Sequence, residues 1–201
     1  MKKLLIFPGY FPPHVGGLES HVDELSRRLS KEGFKITIFA PNIPKTKEYE
    51  KINENLEVIR YPAFEVINNF PMPKFWEKEF RHHLKSFKKE SFDMVMSRTR
   101  FFFSSFIACR FARKNRIRFI HVEHGSEYVK LKNPITTFIA WLYDKTIGAY
   151  VIKKADTCIA ISESSKRFLR RFRKKGEIPI ITRGIEFEYL DDIKKDETLR
   201  K

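Results

Sequence analysis

The sequence predicts an α/β fold: a mostly parallel sheet with helices on both faces. Three observations carry that expectation. Short apolar runs alternate with longer segments of helical periodicity along the chain. Proline and glycine punctuate the junctions, as at Pro8 and Gly33. Polar and special residues cluster just after the apolar runs, which is where ligands bind in such sheets. Each crossover between parallel strands should be right-handed.

The elements follow in order. Residues 3–7 read as a first strand; the run stops at Pro8, too short for the apolar core of a signal peptide. Leu18, Val22, Leu25 and Leu29 then recur at helical spacing, and Gly33 marks the stop. A strand over 35–40 precedes a polar, proline-containing loop from 41 to about 55. Residues 56–61 alternate like a half-exposed strand. Trp76, Phe80, Leu84 and Phe87 share one face of a helix. A strand over 93–97, a helix over 102–114 and a strand over 118–123 come next. The pattern ends with a helix over 134–154, a strand over 157–161, a helix over 164–173 and a last strand over 178–182. Residues 191–201 are almost all charged and read as a linker or tail.

At 201 residues and 42% hydrophobic content, the chain can bury a core as one large domain or two small ones. Its net charge of +15 predicts attraction to anions without choosing among phosphates, acidic lipids and nucleic acid. Cys109 and Cys158 lie far apart in apolar segments, which suits reduced, buried thiols; no metal spacing is present. The best candidate membrane span, 135–152, is interrupted by Asp144 and Lys145, so a cytoplasmic protein is expected. The absence of glutamine, with abundant Lys and Glu, points weakly to a thermophilic source.

The most informative stretch is Pro12-Pro13-His14-Val15-Gly16-Gly17, between the first strand and the first helix. Helix-start N–H groups lack intrahelical partners, and glycine lets a ligand approach the backbone, so this junction suits an anion. A tight turn that needs glycine for geometry alone fits the same residues. Together with His21-Val22 and the strand from Gly33 to Pro41, the stretch resembles the start of the family 4 glycosyltransferases. Further matches are Val122-Glu123-His124-Gly125, Ala155-Asp156 with Ile159 to Ser162, and Ile181-Thr182-Arg183-Gly184-Ile185-Glu186. In the last, Thr182, Arg183 and Glu186 depart from the family pattern. The family comprises retaining, nucleotide-sugar-dependent enzymes of the GT-B fold, in which two Rossmann-like domains face a cleft.

The resemblance implies that residues 1–186 are the N-terminal, acceptor-side Rossmann-like domain. Residues 187–201 would then be a linker toward a missing C-terminal domain, and the chain alone would not transfer sugar. It further implies that Gly16, Gly17, Arg183 and Gly184 contact the nucleotide-sugar donor. His124 would line the active site, orienting the donor sugar and stabilising charge, with a pKa near neutrality that permits proton transfer. His14, Arg98, Arg100, Glu127 and Tyr128 are candidate acceptor contacts, the arginines for an acidic acceptor. His21, one turn into the first helix, could reach the cleft or cap the apolar helix face, with the structural reading preferred; Ser162 is read as a helix N-cap. No metal or other cofactor is expected; the nucleotide-sugar is a substrate.

Lys166, Arg167, Arg170, Arg171 and Lys174 line one helix face, and with Phe101, Phe102 and Phe103 suggest attachment to an anionic membrane surface. Two other functions compete. An epimerase-like enzyme of the same fold should lack this His-Val and His-Gly arrangement. A basic nucleic-acid-binding module would explain the charge, but its recognition motifs are absent and no specific nucleic acid is expected.

Overall fold

A computed structural model of the chain describes residues 1–67 and 69–182. Nine strands and six α-helices are placed among them. The main sheet has seven strands in the order β3-β4-β2-β1-β7-β8-β9. These are β1 (Lys3–Phe7), β2 (Lys35–Pro41), β3 (Tyr49–Asn53), β4 (Leu56–Tyr61), β7 (Met94–Arg98), β8 (Arg118–Glu123) and β9 (Thr157–Ala160). All neighbours are parallel except β3, which pairs antiparallel with β4. A separate antiparallel hairpin joins β5 (Ala63–Ile67) and β6 (Phe70–Pro73).

The helices divide unequally over the sheet. Leu4 and Ile6 of β1 face a core closed by Val22, Leu25 and Leu29 of α1 (Gly17–Lys31). Leu5 and Phe7 face the opposite core. There, α2 (Lys78–Lys89), α3 (Phe103–Asn115), α5 (Ala149–Lys154) and α6 (Glu163–Arg170) supply Phe80, Phe87, Phe111, Ile152 and Leu169. The period-two alternation along β1 thus places one residue set in each layer. Gly33 ends α1 with φ +85, a left-handed conformation that glycine adopts without penalty. Asn133 caps α4 (Pro134–Tyr143) by accepting from Ile135 N at 2.8 Å. Ser162 caps α6 in a capping box with Ser165, as its position before the helix predicts. Cys109 and Cys158 are buried free thiols, and burial pushes both up to about 11.

The structure departs from the expected elements in five places. β3 lies inside the expected loop over 41–55; its largely exposed, charged sequence carries no alternation because it is a sheet-edge strand. The β5–β6 hairpin was also not expected; its Pro71 and Pro73 are tolerated in an isolated two-stranded ribbon. Trp76 precedes α2 and is 65% exposed, while Phe80 and Phe87 do face the core. The single helix expected over 134–154 is α4 and α5 joined through a π turn at Asp144–Gly148. Of the last expected strand, one parallel bridge is formed, Ala160 to Ile180.

Gly9, just after β1, is fixed by its neighbour. A Cβ there would lie 2.3 Å from the ring of Phe102, which is itself buried. Gly9→Ala is therefore expected to cost about 1–3 kcal/mol through overpacking. Urea denaturation should show a lowered midpoint with an unchanged slope.

Candidate functional site

The ends of the central strands β1, β7 and β8 bring three side chains together. Arg98 is the last residue of β7, His124 directly follows β8, and His21 lies one turn into α1. Arg98 Nη2 is 3.0 Å from His21 Nδ1 and 3.1 Å from His124 Nε2. A guanidinium only donates, so both ring nitrogens accept. His124 therefore carries its proton on Nδ1, where it donates to Thr99 Oγ1 at 3.2 Å. The two imidazoles meet edge to face at 6.0 Å.

Arg98 is 3% exposed, and its Nε makes no hydrogen bond. Burial lowers its pKa to about 10. Two other arginines are equally buried, and both have carboxylates. Arg60 pairs with Glu50 at 2.7 Å. Arg100 pairs with Glu123 at 3.1 Å and Asp144 at 3.0 Å. Among the described residues Arg98 has no such partner. A buried, uncompensated cation is costly, and it marks a place where an anion would be welcome.

Thr99 stands between the two arginines with φ +61, an unusual conformation for a β-branched residue. That twist separates their surroundings. Arg100 turns inward, donates to Glu127 O at 2.9 Å and lies 3.9 Å over the Phe168 ring. It braces β7, β8, the π turn and α6, and its two Nη atoms are taken up by Glu123, Asp144 and the Glu127 carbonyl. Burial by itself would raise Glu123. The hydrogen bond with His121, the Arg100 charge and the Gly125 N–H outweigh it and hold the carboxyl at about 2. Asp144 is raised by burial, against the pull of Arg100.

His124 also departs from expectation. Burial and then the Arg98 charge lower its pKa to about 3, so it is neutral near pH 7. Both of its nitrogens are engaged. The positive charge at this site sits on Arg98, not on a protonated His124. Unfolded His124 would titrate near 6.5 and bind a proton that the folded chain refuses down to about 3. Stability should therefore fall as pH drops through that window, by up to a few kcal/mol. His124→Gln should flatten this part of a stability–pH profile measured by urea titration.

The remaining predicted residues are placed as follows. Gly16 and Gly17 open α1, but a Cβ on Gly16 would sit 2.3 Å from Glu19 Oε2, whereas one on Gly17 would meet nothing within 4 Å. Gly16 thus makes room for a buried carboxylate, and Gly17 presents the open side. Glu19 is 3.1 Å from His14 Nδ1, and His14 stacks on Tyr10 at 4.0 Å. The side chain of Glu127 pairs with Arg171 at 3.2 Å, and Tyr128 packs edge-on against Phe168. Both contacts are with α6 and its C-terminal extension rather than with Arg98 or His124. Arg183 and Gly184 lie outside the described residues.

The basic face over 166–174 is partly tied down: Arg170 donates to Gly176 O at 2.8 Å, and Arg171 holds Glu127. Phe101, Phe102 and Phe103 form no exposed patch. They pack against Phe70, Tyr10 and Phe75 respectively. His21 takes the cleft-facing of its two readings, and Thr99 joins the cluster without having been singled out. The spacing of His21 one helical turn beyond Gly17 was the available signal for the first; nothing in the sequence announces the conformation of the second.

A family model described as Glycosyltransferase Family 4 matches residues 15–189. An uncharacterized glycosyltransferase of Methanocaldococcus jannaschii is 47% identical over 203 residues, 99% of this chain and 52% of that protein. The sucrose-phosphate synthase of Thermosynechococcus elongatus superposes with a TM-score of 0.64 at 16% identity, over 94% of this chain and 49% of that one. The catalytic domain of starch synthase IV from Arabidopsis thaliana, bound to ADP and acarbose, gives 0.55 at 13% identity, over 93% and 52%. These structural likenesses show the fold. The chain spans about half the length of the relatives it matches.

Proposed function

Since the chain belongs to glycosyltransferase family 4, we propose that it is the acceptor-side half of a retaining, nucleotide-sugar-dependent enzyme. The observation that carries this reading is Arg98, a buried cation with no carboxylate partner among the described residues, held by His21 of α1 and His124 at the end of β8. In the proposed complex an acidic group of the acceptor takes the open side of the guanidinium. His124 stays neutral and orients the donor sugar. Gly17 and the α1 N–H groups face the donor diphosphate, and Arg183 and Gly184 approach it from the connecting segment.

The proposed reaction takes place on one face of the sugar. The acceptor hydroxyl oxygen forms the new bond to the anomeric carbon as the bond to the diphosphate oxygen breaks. The electron pair and the hydroxyl proton both leave with the nucleoside diphosphate. No protein nucleophile is needed, and this chain's residues orient the sugar and offset charge. In this reading residues 1–186 are assigned to the acceptor-side domain and 187–201 to the connection with a donor-binding half.

Sugar transfer is the test. This chain alone is expected to show no turnover of a nucleotide-sugar, and transfer should appear when a donor-side half is supplied. In the two-half enzyme His124→Ala should lower kcat about 100-fold, since it removes an orienting group beside the reacting centre. Robust turnover by the isolated chain would overturn the proposal.

A further inference from the structure

We infer that α4 and the tip of the β5–β6 hairpin form a docking face for an anionic lipid bilayer. The inference does not depend on the sugar-transfer reading. The ten residues of α4 carry no charge, and Ala140 is its one buried residue. Ile135, Phe138, Ile139, Trp141 and Leu142 are exposed to between 39% and 69%. The Phe138 and Trp141 rings stack at 5.8 Å on the open surface. Val66 and Ile67 extend the same apolar character from the hairpin, at 57% and 45% exposure. A continuous exposed patch of large apolar side chains is an interaction surface, not an ordinary feature of a solvated helix.

Charge selects the partner. Lys130 and Lys132 precede α4, Lys145 follows it, and all three are exposed. Over residues 128–154 the one acidic residue is Asp144, which is fully buried and paired with Arg100. Lys145 Nζ lies 5.7 Å from the Trp141 ring centroid, at the edge of the apolar face. An apolar helix rimmed by lysines matches an interface that is apolar below and negative at its surface. A second copy of the chain would bring like-charged rims together, on molecules that each carry +15.

The face also has depth. Between α4 and the hairpin lies an apolar cavity of about 270 Å³, lined by Ile67, Phe70, Phe101, Leu131, Ile139 and Tyr143. Its chemistry suits a stretch of acyl chain. Among the described residues no helix is long and apolar enough to cross a membrane, so α4 would lie along the interface. This places membrane contact on α4 instead of the basic face over 166–174.

Vesicle binding by this chain tests the inference. Trp76→Phe leaves Trp141 as the one tryptophan. Its emission should shift to the blue with phosphatidylcholine vesicles doped with phosphatidylglycerol, and less with phosphatidylcholine alone. Phe138→Ser with Ile139→Ser alters exposed side chains and should leave the far-UV spectrum unchanged while weakening flotation with anionic vesicles about tenfold or more. Lys130→Ser with Lys132→Ser should weaken it about fivefold per lysine, an effect that fades as salt rises. The inference is overturned if anionic vesicles leave Trp141 emission unchanged, or if the Phe138–Ile139 variant floats as well as the parent. A lipid-free dimer that buries Trp141 would overturn it too, and would assign the face to a second copy.

Discussion

Glu123→Ala should destabilise the fold by about 3–5 kcal/mol, because it strips a buried cation of half its compensation. Glu123 is wholly buried at the end of β8. One carboxylate oxygen lies 3.1 Å from Arg100 Nη1 and accepts from Gly125 N at 2.7 Å. The other accepts from Arg100 N at 3.3 Å and faces His121 Nε2 at 3.3 Å. Truncation leaves Arg100, 2% exposed, with Asp144 alone. It also leaves the Gly125 N–H without its acceptor. Glu123→Gln keeps the shape and one acceptor, so its cost should be smaller. Urea midpoints of the two variants give the ordering. The folded carboxyl is held near 2, below its unfolded value of 4.5, so its contribution is present above about 4.5 and lost as pH falls toward 2. The Glu123→Ala penalty should therefore shrink in acid. A penalty independent of pH would show that packing, not the ion pair, supports this end of β8.

Much of the fold was legible because its strands are short apolar runs and its helices have one clear apolar face. β1, β4 and β8 begin and end where the sequence places them. What the sequence hid has little burial to announce it. β3 is a mostly exposed edge strand, and β5 and β6 form a ribbon outside the main sheet. The site was legible as a location and much less as a set of states. Sequence puts Arg98 and Arg100 at the same strand end with equal claims on an acidic ligand. The left-handed Thr99 between them gives Arg100 to the core and leaves Arg98 to the histidines. Likewise Gly16 and Gly17 read as a matched pair, although the Glu19 carboxylate occupies the space beside the first. Such outcomes depend on which buried charges find partners, a property of the folded neighbourhood and not of local pattern.

Arg98→Met should behave in the opposite sense to Glu123→Ala. Removing a buried charge that has no counter-ion among the described residues, in favour of an apolar side chain of similar length, is expected to raise ligand-free stability by about 1–3 kcal/mol. The parts of that expectation are separable. Arg98 contributes two hydrogen bonds, but His21 and His124 are both partly exposed, so water can replace the guanidinium on their acceptor nitrogens. What remains is the relief of desolvating a cation. Two further readouts distinguish an anion site from a structural brace. Inorganic pyrophosphate, used as the probe, should raise the Tm of the parent chain and leave Arg98→Met unmoved. A ligand held at 100 times its Kd would contribute about 2.7 kcal/mol, well within the reach of a thermal shift. The pKa of His124, followed by NMR, should rise in the variant: burial still holds it low, but the Arg98 charge no longer does. Lower stability, with pyrophosphate stabilisation retained, would show that Arg98 braces β7 and that the anion binds elsewhere. Higher stability with that stabilisation lost would mean that the fold sustains a costly charge where a ligand needs it, as stability–function trade-offs require.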